Sequence, residues 1–143
     1  MARRILTVAL ALYTAFVLVV TLSPRMPGTS SVAVLVNSML AYLHERGWFV
    51  GVEYLHIEFL ANIGMFVPLG ALTALLMPKR AWWALLLIGT AFSGLIETYQ
   101  ALVLPGRYPE WRDVLSNSIG FLVGAGFALF IREVRRSAVR QGS

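Results

Sequence analysis

Apolar positions fall in four long runs, 5–22, 57–77, 81–104 and 114–131, and polar positions gather toward the ends of these runs. A helix needs about 20 apolar residues to cross a hydrocarbon core, and each run is near that length. The pattern predicts an all-α membrane bundle of four transmembrane helices, forming one domain over residues 1–143. Within the long connection before the second run, residues 32–43 are apolar apart from Asn37 and Ser38. At about 1.5 Å per residue this stretch is too short to span, so it predicts a short interfacial or re-entrant helix over one mouth of the bundle. Thr29, Ser30 or Ser31 is placed to cap its start, and Gly47 to end it. Arg3 and Arg4 precede the first run as in a signal peptide. Its apolar length exceeds a typical h-region, and the Ala-x-Ala at Ala9 and Ala11 lies inside it, so we read it as a retained helix.

Composition sharpens this picture. The chain is 58% hydrophobic and 13% charged, with a mean hydropathy of +0.73, whereas soluble domains carry about 25% charged residues. There is no cysteine, which excludes a disulfide framework and a thiolate metal site. The net charge of +5 is not a nucleic-acid patch. Arg3 and Arg4, Lys79 and Arg80, and Arg132, Arg135, Arg136 and Arg140 lie at ends of runs that four antiparallel passes bring to one side. The positive-inside rule makes that side cytoplasmic, so both termini are expected in the cytoplasm. Arg25, Arg46, Arg107 and Arg112 fall on the other side, with all of the seven acids except Glu133. Trp82 and Trp83 at one boundary, and Trp48, Phe49, Tyr108 and Trp111 at the other, suit the two membrane interfaces.

Candidate chemistry sits at the outer end. Glu58 and Asn62 open the second run, Glu97 and Gln100 close the third, and Asp113 and Asn117 lead into the fourth, with Arg107 just before. Asn62 is roughly 8 Å from the outer end of its helix, so these groups belong to the outer third of the bilayer. Thr90, Ser93, Glu97 and Gln100 are spaced as one helical stripe, and so are Asp113, Asn117, Gly120 and Gly124. Lipid offers a polar stripe no partner, so the three helices are expected to turn these faces together. Gly120 and Gly124 form a Gly-x-x-x-Gly pair that permits close approach, inside the bundle or between two copies as a homodimer. Pro68 lacks an amide hydrogen and opposes the Gly64 carbonyl, which predicts a kink eased by Gly70.

The stretch from Asn62 through Gly64, Pro68 and Gly70, then Ser93 with Glu97-Thr98-Tyr99-Gln100, then Arg107 with Asp113-Val114-Leu115-Ser116-Asn117 and Gly120, closely resembles the VanZ-like family. Leu22-Ser23-Pro24 looks like the end of that family's first helix. The resemblance covers most of the chain. It implies a small protein of the bacterial cytoplasmic membrane, in a cell-envelope context. The namesake is linked to glycopeptide resistance, mainly to lipid-bearing teicoplanin, and the resemblance supplies no reaction. Glu110, between Arg107 and Asp113, departs from the Asp common in the family.

Three readings of the residues stay open. In the first, Arg107 and Arg112 pair with Glu97 and Asp113, and Asn62, Gln100 and Asn117 complete a purely structural network. In the second, Glu58, Asn62, Ser93, Glu97, Gln100, Arg107, Asp113 and Asn117 line a binding site for an amphipathic ligand, such as a lipid-linked cell-wall precursor or a lipoglycopeptide. The arginine fork suits phosphate or carboxylate. In the third, Glu58, Glu97 and Asp113 act as general acid and base on a phosphate-bearing or glycosylated lipid. Alternatively Glu97 and Asp113, with the asparagines, hold Mg²⁺ or Ca²⁺, which take oxygen ligands. No nucleophile motif is present. His56 near Glu58 is expected to be a hydrogen-bonded structural residue.

Overall fold

The structure, a computed structural model, describes residues 1–23, 31–78, 81–104 and 110–141. These residues form α1 (Ala2–Thr21), α2 (Ser31–His44), α3 (Tyr54–Leu76), α4 (Trp82–Val103) and α5 (Trp111–Gln141), with no strand among them. Four of the helices, α1, α3, α4 and α5, are long and apolar enough to cross a membrane, and α2 is the shorter apolar helix between the first two. Large apolar side chains such as Val8, Leu12 and Phe16 on α1 and Phe127 and Phe130 on α5 face outward, as a lipid solvent requires.

Local chemistry explains the helix ends. Gly47 has a φ of 76°, the left-handed conformation that glycine adopts without strain. Its N–H bonds the His44 carbonyl at 2.9 Å, and the Trp48 N–H bonds the Leu43 carbonyl at 3.0 Å. Together they close α2 with a Schellman motif, the role expected of Gly47; the expected caps Thr29 and Ser30 lie outside the described residues. At the start of α3, the Glu53 N–H donates to His56 Nδ1 at 3.0 Å, which gives His56 a capping role. α3 and α4 begin and end within three residues of the expected boundaries, whereas α5 continues ten residues beyond 131. The extension Arg132–Gln141 contains neither Gly nor Pro and is rich in good helix formers, so loss of hydrophobicity does not end the helix.

The interface between α3 and α5 is by far the most extensive, followed by α4 on α5 and α1 on α3. It is built by glycines. A methyl at Gly120 would overlap the Ile63 carbonyl, one at Gly124 the Val67 carbonyl, and one at Gly70 the Phe121 carbonyl. Hydrogen alone lets the two backbones approach this closely. Gly120 and Gly124 therefore serve the internal contact, and Gly70, expected to ease the Pro68 kink, is a packing residue. Phe121 is buried to 1% exposure. Its backbone meets Gly70 of α3, while its ring meets Gly89 of α4, where an added Cβ would lie 2.7 Å from Cδ1. One residue thus locks three helices.

Pro68 lies inside α3, which continues through it. Next to Gly64, whose carbonyl loses its usual donor at Pro68, the Tyr13 hydroxyl of α1 donates to the Met65 carbonyl at 2.9 Å. A neighbouring helix so supplies a donor where the proline weakens the backbone ladder. At the far end, Arg132 Nη1 donates to the Ala74 and Met77 carbonyls at 2.9 and 3.1 Å. A cation there satisfies carbonyls that α3 cannot and complements its dipole.

Candidate functional site

The end of the bundle that gathers the C-termini of α1 and α4 and the N-termini of α3 and α5 carries the polar cluster. Asn62 Nδ2 of α3 donates to Asp113 Oδ1 of α5 at 3.0 Å. The backbone N–H of Glu110, next to the first residue of α5, donates to Glu97 Oε1 of α4 at 2.6 Å. Asn117 Nδ2 of α5 donates to Ser93 Oγ of α4 at 3.0 Å. α5 is therefore the hub: α3 and α4 reach the cluster through it and meet one another little. Glu97, Ser93 and Asn117 are buried, with Glu97 only 8% exposed, so its carboxylate is not turned toward lipid.

Helix electrostatics accounts for the two carboxylates. Glu97 binds the amide that leads into α5, and Asp113 lies in its first turn. Both stand at the positive end of a 31-residue helix, where negative charge is favoured. The Glu110 backbone, rather than its side chain, makes the contact with Glu97, and the side chain itself is exposed. The departure from Asp at position 110 thus leaves this hydrogen bond unaltered.

Two members of the expected constellation are placed differently from the rest. Gln100 is buried, but its Nε2 donates to the Thr21 carbonyl at 2.7 Å, so its amide fastens the C-terminal turn of α1 to α4. Thr90 is exposed, which corrects the expectation that it shares the buried stripe. The buried line of α4 runs through Leu85, Gly89, Ser93, Ile96 and Gln100, and Thr90 sits roughly 90° to one side of its centre at 100° per residue. Glu97 also lies off that line, yet is buried, with its Oε1 against the backbone N–H of Glu110. Arg107 lies outside the described residues, as does Tyr108. Arg112 is exposed, its guanidinium 5.9 Å from the Trp111 ring centre.

Beside the cluster, between the first turns of α3 and α5, is a groove of about 340 Å³. Its polar lining is His56, Glu58, Arg112 and Asp113, and its apolar lining is Leu55, Phe59, Trp111 and Leu115. Asp113 joins groove and cluster, since one carboxylate both lines the cavity and accepts from Asn62. Deeper in, Asn117 Oδ1 is buried with no hydrogen-bond partner among the described residues, as is Ser118 Oγ. Among the described residues no three His, Asp or Glu side chains gather as a metal-binding group.

Sequence reasoning missed the groove itself, because Arg112, Trp111 and Leu115 become neighbours of Leu55 and Phe59 only when α3 and α5 pack in parallel. Trp111 stood out beforehand only as a boundary residue, and Arg112 only as a cation on the outer side that could pair with Glu97 or Asp113. It also missed Tyr13 and Arg132 as backbone donors, and no spacing rule marks a side chain that bonds a distant carbonyl.

An all-helical chain with four membrane-length apolar helices, and a polar cluster where their ends meet, defines a multi-pass membrane protein. The model of the VanZ/LLP1 family matches residues 7–132. The chain belongs to that family. No curated protein and no solved structure matches it.

Proposed function

We propose that this protein recognises an amphipathic ligand at the outward end of its bundle in the bacterial cytoplasmic membrane. A lipid-linked cell-wall intermediate or a lipoglycopeptide has the required form, and binding it contributes to tolerance of teicoplanin-type drugs. The observation that carries this reading is the groove between α3 and α5. Its lining combines the apolar side chains of Leu55, Phe59, Trp111 and Leu115 with two carboxylates and a guanidinium. A ligand with a hydrocarbon tail and a polar head matches both kinds of lining, and sites of this size commonly pair an apolar lining with few polar groups. Asn117 Oδ1, without a hydrogen-bond partner among the described residues, adds an acceptor in the same end of the bundle. An unmatched buried polar atom costs about 1–3 kcal/mol, so a donor supplied by a ligand has a physical use there.

The test is expression of the chain in a glycopeptide-susceptible host, with purified protein titrated with teicoplanin and with vancomycin. Tolerance and saturable binding are expected for the lipid-bearing drug and not for the other. Glu58→Gln, Arg112→Gln and Asp113→Asn, all in the groove lining, should each lose both effects while remaining folded. If all three variants fold normally and keep tolerance and binding, the reading is wrong.

A further inference from the structure

The end of the bundle opposite the polar cluster carries a second cleft, independent of the reading above. It measures about 490 Å³ and lies between α1, the end of α3 and α5. Two guanidiniums, Arg3 and Arg132, line it, and its remaining walls include Leu6, Leu75, Leu76 and Pro78. Among the described residues no carboxylate lines it. Apart from the two arginines its lining is apolar, Leu6 from α1 and Leu75, Leu76, Met77 and Pro78 from the end of α3 and the residues just past it.

Arg132 is preorganised. Its described hydrogen bonds both leave from Nη1, to the Ala74 and Met77 carbonyls. The guanidinium is thereby held in place while Nη2 and Nε remain as donors. A side chain already fixed loses little further freedom on binding, and the planar fork of arginine fits phosphate oxygens. Arg3 is exposed at the start of α1. Arg135, Arg136 and Arg140 continue the positive field along the extension of α5, which runs about 46 Å at 1.5 Å per residue and so outlasts a membrane span.

We propose that this cleft is a binding site for one anionic phospholipid. Its phosphate sits between Arg3 and Arg132, and an acyl chain lies along Leu6, Leu75 and Leu76. Basic pockets between membrane helices recognise such head groups, and the apolar walls favour a lipid over free phosphate.

The experiment uses the full chain in a neutral detergent, followed by thermal unfolding during titration with dioctanoyl phosphatidylglycerol, dioctanoyl phosphatidylcholine or inorganic phosphate at matched ionic strength. The anionic lipid should raise the midpoint saturably, and the other two should not. Arg3→Gln, which leaves the Arg132 cap of α3 intact, should weaken apparent affinity roughly fivefold, the attraction of one juxtamembrane arginine. Arg136→Gln, outside the cleft, should weaken it less. Equal protection by phosphatidylcholine, protection by phosphate alone, or equal loss in Arg3→Gln and Arg136→Gln would each overturn the site, the last in favour of a diffuse basic field.

Discussion

Asn117 and Ser93 show how one buried amide couples two helices. The Asn117 side chain spends its Nδ2 on Ser93 Oγ and leaves Oδ1 without a described partner. Ser93→Ala removes the acceptor and leaves both ends of the amide unmatched. A destabilisation of about 1–3 kcal/mol is expected, measured by chemical or thermal unfolding in detergent. The double variant Ser93→Ala with Asn117→Leu should recover most of that loss, because replacing both partners with apolar groups removes the desolvation penalty along with the bond. A double variant no more stable than the single one would show that Asn117 acts through other contacts. Both residues were legible as candidates, since polar groups inside apolar helices draw attention. Their pairing was not, because it depends on which faces of α4 and α5 meet.

Helix against helix, the decisive contact is α3 on α5. Its closeness is set by Gly70, Gly120 and Gly124, each facing a carbonyl where even a methyl group would overlap. Gly124→Ala must push the helices apart or distort α3 near Val67. We expect a loss of about 1–3 kcal/mol, the scale of overpacking in a tight core, read as a lower unfolding midpoint. Gly126→Ala, with nothing within 4 Å of the added carbon, should be neutral or slightly stabilising because alanine favours helix. Sequence spacing marked Gly120 and Gly124 as a close-approach pair. It could not assign the facing helix, and it did not connect Gly70 and Gly89 to Phe121. Those glycines meet their partner through positions about fifty and thirty residues away, beyond the reach of any local periodicity.

For the molecule as a whole, four apolar helices leave basic residues at one end and the polar cluster at the other. That arrangement predicts a definite orientation, with the arginine-rich end in the cytoplasm. Because the chain has no cysteine, single substitutions report it directly. Ser38→Cys on α2 should react with a membrane-impermeant maleimide in intact cells or spheroplasts. Ser137→Cys on the extension of α5 should react only after the membrane is opened. Both side chains are exposed, so the reverse labelling pattern would invert the orientation and place the polar groove on the cytoplasmic side.

The number of spans, the short apolar helix and the collection of Glu58, Asn62, Glu97, Asp113 and Asn117 at one end were determined by the chain alone. These follow from transfer energetics and helical rise, both of which are local and additive along a sequence. Tertiary structure alone decided that α5 is the hub, that Gln100 fastens α1, that Thr90 turns away and that Arg132 caps α3. Each of these depends on which helical face packs against which neighbour, and that choice rests on small-residue fit and hydrogen-bond partners supplied from distant parts of the chain.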